Sequence, residues 1–220
     1  MTPRFLGGST RNLLLSLIAI GATASIAGLG TFATFTSTTS AAQSISSGTV
    51  AITLGAAGSA DNRLTIRATS LVPGDSLQRR VKLTNTAGNE NLASITLGTV
   101  DTTTDPDTVL STNATNGLQM KIEKCGGALG WTESALTPYT YTCDSLIAGD
   151  NAGTRTTVLA RRAIIGSSLA LSNLSALTAG NTDDMVVTVD LPSTADNTFQ
   201  TKSATIEYTF TGTQRAGGAK

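Results

Sequence analysis

The side chains able to do chemistry in this sequence are few, and one class is missing: none of the 220 residues is histidine. Ser-His-Asp and Cys-His nucleophile activation, the HExxH zinc site and the imidazole-based metal triads all need that ring. What remains is carboxylate chemistry. Asp183-Asp184, Asp105-x-Asp107 and Glu90 are the groupings that invite a hard cation, because calcium takes several oxygens from carboxylates and loop carbonyls. None sits in a D-x-[DN]-x-[DN]-G loop with its distant Glu, so they read as solvated turn carboxylates. The sequence therefore assigns no catalytic residue, no metal ligand and no cofactor.

Cys125 and Cys143 are the only two cysteines. In an exported chain an even count favours a disulfide over two unpaired thiols, and closing that loop stabilises a fold by about 3 kcal/mol in the chain-entropy model. Their spacing and the lack of further ligands exclude a CxxC redox or zinc site. Trp131, Tyr139 and Tyr141 fall inside the loop the two cysteines would close. They read as a small satellite core against the disulfide, the alternative being a surface that stacks on a sugar or grips a neighbour. Arg79-Arg80 and Arg161-Arg162 are pairs beside apolar residues; in a strand one of Arg79 and Arg80 must face inward or lie at a sheet edge.

Charged residues make up 14% of the chain, lysines and arginines equal aspartates and glutamates at 15 each, and aromatics are 4%. There is no basic footprint for a phosphate backbone and little ring surface for bases, which excludes nucleic acid as a partner. The surface is neutral and rich in hydroxyls.

The first sixty residues contain no Asp or Glu. Arg4 and Arg11 precede the apolar run Leu13 to Ala33, followed by small residues, the order of an export signal. Thr31-Phe32-Ala33 offers the small residues a signal peptidase reads, so cleavage is expected between Ala33 and Thr34, with a second possible site near Ser40-Ala41-Ala42. A retained membrane helix is the alternative, since the run is about long enough to span a bilayer.

Beyond this segment the dominant signal is period-2 alternation, which sets one face of a strand on a core. Val50, Ile52 and Leu54 alternate in this way, as do Leu64, Ile66 and Ala68, then Val81 and Leu83. Further runs place Ala93, Ile95 and Leu97 on one face, then Leu118, Met120 and Ile122, then Met185, Val187, Val189 and Leu191, and last Ala204, Ile206, Tyr208 and Phe210. Turn-rich stretches such as LVPGDS, NTAGNEN and LPSTADN separate them. Short strands at this spacing mean antiparallel sheets closed as a sandwich or barrel, with about 7–9 strands and at most one or two short helices after the N-terminal signal helix. Val158 to Ile165 is read as one or two helical turns. SLVPGDS and ALTAGNT each pair a turn with a following core strand and echo one another weakly. The domain reading is 1–33 export segment, 34–47 extended segment, 48–213 one β-sandwich and 214–220 flexible tail.

Several segments together resemble the TasA/camelysin family of exported bacterial matrix and envelope proteins. GLGTFATF resembles the family's signal end, SSGTVAIT its first strand, SLVPGDSLQRRVKLTNTAGNENLASITL its L-x-PGD strand pair, and LPSTADNTFQTKSATIEYTFTGTQRAGG its closing strands. The resemblance implies a jelly-roll-type fold, assembly into extracellular biofilm fibres and processing by a signal peptidase. It also carries a metallopeptidase label, against which the absence of histidine stands. The expected function is thus an exported structural protein, not an enzyme, whose partners are other copies of itself, the signal peptidase and other matrix or envelope proteins. Thr34 to Ser47 is uncharged, β-branched and free of Pro and Gly, so it is the expected donor strand, with Phe35, Ala41 and Ile45 on one face. A camelysin-type cell-surface metalloprotease and a monomeric carbohydrate-binding or adhesion sandwich are the alternatives.

Overall fold

The computed structural model describes residues 37–39, 51–64, 71–103, 109–127, 129–199 and 202–216. The export segment, Ala33, Thr34, Phe35, Ala41 and Ile45 lie outside the described residues, as do Val50, Ile66, Ala68, Asp105, Asp107 and the end of the tail. In chain order the elements are β1 (Ser37–Thr39), β2 (Ile52–Leu54), β3 (Ser76–Asn85), β4 (Leu92–Asp101), α1 (Val109–Thr112), β5 (Gln119–Cys125), β6 (Gly130–Glu133), β7 (Tyr141–Asp144), β8 (Arg155–Ala163), β9 (Gly166–Ala170), β10 (Thr182–Asp190), a 3-10 turn (Asn197–Phe199) and β11 (Ile206–Gln214). The eleven described strands exceed the expected count; β1, β6 and β7, of three or four residues each, are too short for alternation to declare them.

The strands form one sheet in the order β1-β11-β4-β9, a second in the order β2-β3-β10-β5-β8, and the two-stranded ribbon β6-β7. Apart from β2, the two large sheets have the strand order of a jelly roll, an all-β sandwich in which the chain repeatedly crosses from one sheet to the other. Alternation supplies the core between them: Val81 and Leu83 on β3, Ile95 and Leu97 on β4, Met120 and Ile122 on β5, Met185 and Val187 on β10, and Ile206, Tyr208 and Phe210 on β11 are buried in one cluster. Burying side chains of this size contributes on the order of 1.5–3 kcal/mol each, which is what holds two hydroxyl-rich sheets face to face.

The turn echo has a structural counterpart. Gly74 and Gly180 both adopt positive φ, 95° and 86°, a conformation that disfavours any side chain. The Gly74 N–H donates to Leu191 O at 2.8 Å and the Leu191 N–H to Asp75 O at 3.0 Å; the Gly180 N–H donates to Asn85 O at 2.7 Å and the Asn85 N–H to Asn181 O at 3.0 Å. Each turn thus caps the end of the other's strand, giving the antiparallel pair β3·β10 an approximate local two-fold.

Two expectations are corrected. Val158 to Ile165 is not helical: residues 158 to 163 belong to β8, which pairs antiparallel with β5. Register shifts at Met120/Ile122 and Ile122/Glu123 place the consecutive Val158 and Leu159 inward and leave Arg161 and Arg162 exposed, which erases the period-2 signal. Ala93 is exposed and Leu92 takes the inward place, because the β4·β11 register steps from Ser94 to Leu92 and skips one residue.

Candidate functional site: the β11 edge and the stapled hairpin

On β11 the side chains of Ile206, Tyr208 and Phe210 enter the core, while Glu207, Thr209 and Thr211 are half-buried on the outer face. One flank pairs antiparallel with β4 from Ile206↔Asp101 to Gln214↔Leu92. The other carries β1, in register Ser37↔Tyr208, Thr38↔Thr209 and Thr39↔Phe210, and this pair is parallel, alone among the described strand pairs. In a jelly roll the strand preceding β3 would lie beside β11. Here that part of the chain stays with β3 instead: Ile52 to Leu54 pair with Asn85 to Leu83, Asn62 bridges Val81, and the Arg63 N–H donates to Arg80 O at 2.7 Å. Among the described residues the flank of β11 is left to the three residues of β1.

The opposite end of the sandwich is closed by its own chain. There β9 pairs antiparallel with β4, the Thr99 hydroxyl donates to Ile164 O at 2.5 Å, and the Ser172 N–H donates to Val158 O at 3.0 Å on β8. Arg161 pairs with Asp190 beside it, and such edge charge discourages further strand addition.

Arg79 takes the inward place that the sequence reserved for one of the arginine pair; it is 6% exposed. Burial is the largest influence on its guanidinium and pulls its pKa below the ordinary arginine value. Burial also raises the pKa of the fully enclosed Tyr208 phenol, with the nearby Arg79 charge acting against it. A cation therefore lies in the core close to β11.

The ribbon β6-β7 packs on the outer face of the five-stranded sheet. Cys125 and Cys143 are joined by a disulfide, with Cα atoms 5.4 Å apart, and Trp131, Tyr141, Cys143 and Val186 form a second buried cluster. The Trp131 indole N–H donates to Asp184 O at 3.1 Å, and the Tyr141 N–H to Gln78 Oε1 at 3.0 Å. Arg63 grips Glu133 with two donors, at 2.9 and 2.5 Å, and lies over the Tyr139 ring at 4.5 Å. Tyr141 donates its hydroxyl to the same Glu133 at 2.7 Å. The Arg63 hydrogen bond is the main reason the Glu133 carboxyl sits below its usual range, while burial first, and Glu133 second, pushes the Tyr141 phenol up. Trp131 and Tyr141 thus serve as a satellite core and present no ring to solvent. Sequence reasoning missed Arg63 and Glu133, which are 70 positions apart and carry no local pattern.

Compared with known proteins, residues 10–124 match the family model described as Camelysin metallo-endopeptidase. The chain belongs to this family. The match runs from the apolar N-terminal segment to the last residue before Cys125, so the stapled ribbon lies beyond it. No curated protein matches the sequence. A solved structure of a family 123 glycoside hydrolase from Clostridium perfringens, studied for glycolipid glycan hydrolysis, is similar at 10% identity and a TM-score of 0.27. That likeness covers 75% of this chain, which spans 27% of the hydrolase chain, and it carries no argument about fold or function.

The family's name implies a metal, and the donors among the described residues do not fit one. There is no histidine in the chain. Asp183 is no turn carboxylate: it is buried on β10, accepts from the Ala176 N–H at 2.7 Å and pairs with Lys124 at 3.1 Å. Asp184, also on β10, receives both donors of Arg80, and Glu90 pairs with Arg215 at 3.3 Å. Among the described residues no group of three or more His, Cys, Asp or Glu is placed to hold a metal ion. No helix of the described residues is long and apolar enough to cross a membrane.

Proposed function

We propose that this member of the camelysin family is an exported structural protein that builds extracellular fibres or a surface matrix by adding a strand of one subunit to the sheet edge of the next. The donor is the segment Thr34 to Ser47, freed as the new N-terminus when a signal peptidase cuts between Ala33 and Thr34. The acceptor is the β11 edge. The observation that carries this reading is the β1·β11 pair: the middle of the expected donor segment lies on the flank where, among the described residues, the jelly roll has no antiparallel strand. Phe35, Ala41 and Ile45 share one face of that segment, and an uncharged strand enters such an edge without desolvating ions. Because donor and acceptor differ, each addition repeats head to tail and the assembly stays open. Removing Thr34 to Ser46 from the secreted protein should abolish fibres in electron micrographs, and normal fibres from that truncation would sink the reading.

The family description favours a second reading, a cell-surface metallo-endopeptidase. Stoichiometric transition metal in the purified protein together with casein cleavage abolished by chelation would establish it.

A further inference from the structure

The loop that leaves β7 carries two carboxylates, Asp144 and Asp150, which reach across it in opposite directions. Asp144 Oδ1 accepts from the Gly149 N–H at 2.8 Å and the Asn151 N–H at 3.2 Å. Asp150 Oδ1 accepts from the Ser145 N–H at 3.2 Å and the Ala152 N–H at 3.0 Å, and its Oδ2 from the Ser145 hydroxyl at 2.8 Å. Asp144 Oδ2 is different: the residue is fully enclosed, and this oxygen has no hydrogen-bond partner among the described residues. The Thr132 hydroxyl on the facing strand, which is not aligned to bond Oδ2, is the largest influence on the carboxyl and holds it below its usual range. Burial acts against this, and the Gly149 and Asn151 N–H groups add to it. The group is therefore an anion at neutral pH, and an enclosed anionic oxygen without a partner is costly. No cation of the chain offsets it. Neither Asp144 nor Asp150 enters an ion pair among the described residues. Arg155, at the start of β8, is turned to the Asn151 Oδ1 at 2.9 Å and to the Trp131 ring instead.

We propose that the Asp144–Asp150 loop is a binding site for a divalent, oxygen-seeking cation, calcium. Asp144 Oδ2 supplies the enclosed ligand and Asp150 the second carboxylate, with the hydroxyls of Thr132 and Ser145 and water as neutral oxygens. Calcium accepts such an irregular oxygen set, whereas magnesium demands near-ideal octahedral geometry and gives up its waters reluctantly. The set holds no imidazole or thiolate, so it suits a hard ion and is distinct from the transition-metal centre that the family description implies. Two carboxylates put the affinity in the range of extracellular calcium modules, a Kd of about 10⁻⁴–10⁻³ M. The ion neutralises two like charges and ties the far side of the loop to the end of β7, one residue from the disulfide at Cys143. The ribbon thereby gains a second staple that responds to calcium outside the cell. The site lies within one subunit and is independent of how subunits assemble.

Terbium luminescence reads this site, because Trp131 is the only tryptophan and sits in the same ribbon. Terbium(III) takes the oxygen ligands of calcium, and its emission is sensitised by an indole close to it. The full secreted protein, titrated with terbium under excitation of the indole, should give emission that saturates at one ion per chain and is displaced by excess calcium. Asp144→Asn keeps an Oδ1 to accept from Gly149 and Asn151 but removes the charge, and should weaken terbium binding about ten-fold or more. Asp150→Asn, at an exposed position, should weaken it as well and keeps the test decisive if D144N disturbs the ribbon. Asp196→Asn, whose carboxylate caps an unrelated turn at Thr198, should leave binding unchanged. Calcium at a few millimolar should move the Trp131 unfolding transition of the wild type to higher urea and leave that of D144N in place. No sensitised emission from the wild type, or emission that both D144N and D150N leave intact, overturns the proposal.

Discussion

At the residue scale the best-defined polar unit is Arg63–Glu133–Tyr141, which fastens the ribbon to the segment running along β3. Its charges are mostly enclosed, with side-chain exposures of 16% and 15% for Arg63 and Glu133, so the ion pair is worth more than a surface one. Replacing Glu133 by Gln removes the anion from between two donors and should cost about 1–3 kcal/mol in urea unfolding at pH 7. The acid dependence follows from the depressed carboxyl. A group whose folded pKa lies below its unfolded value contributes stability above the unfolded value and loses it as pH falls through the folded one. For Glu133 the ordinary value is 4.5, so the wild type should lose this contribution progressively below that pH, and E133Q should lose none of it. Urea midpoints for the two proteins that converge between pH 7 and pH 3 bear this out. A gap that stays constant with pH places the contribution elsewhere.

At the scale of elements, the period-2 runs of β3, β10 and β11 were legible in the sequence: β3 alternates along its whole length and β11 from Ile206 to Phe210, while in β10 Met185, Val187 and Val189 hold the inward face although Val186 and Thr188 are buried as well. What alternation could not reveal was β8, where two register shifts against β5 break the period, and the inward switch from Ala93 to Leu92 in β4. The ribbon β6-β7 was legible as a cluster of aromatics and cysteines but not as strands, since its four-residue elements are specified by partners distant in the chain. That β1 lies beside β11 was not legible, because nothing local marks which strand takes a sheet edge. The ribbon offers a direct measurement, since Trp131 is the only tryptophan and sits in it. Replacing Cys125 and Cys143 together by Ser should lower global stability by about 3 kcal/mol in the chain-entropy model. Without the staple the ribbon is held by its small cluster and a few hydrogen bonds, so Trp131 fluorescence should shift to the red at lower urea than the far-ultraviolet signal of the sheets. Coincident transitions would mean that the ribbon and the sandwich unfold as one unit.

At the scale of the whole molecule the two ends of the sandwich differ in kind. One is closed by β9, by the corner at Ile164 and by edge arginines; the other presents β11 to a strand that carries no charge. Most fibre-forming contacts that rely on opposite charges weaken as salt rises, because exposed charges are screened beyond about 8 Å at physiological ionic strength. In the proposed joint the side chains of Thr34 to Ser47 supply no such term: the segment contains no Asp, Glu, Lys or Arg, its one charge is the Thr34 amine that cleavage exposes, and the subunit without Arg4 and Arg11 has a formal side-chain charge of only −2. Backbone hydrogen bonding and burial of Phe35, Ala41 and Ile45 would instead supply the association, and burial strengthens with excluded salts such as sulfate. Elongation followed by light scattering should therefore change by less than about two-fold between low and physiological sodium chloride, and should speed up in sodium sulfate of the same ionic strength. A steep fall with sodium chloride would point to charged surfaces as the joint and remove the β11 edge from the centre of the assembly.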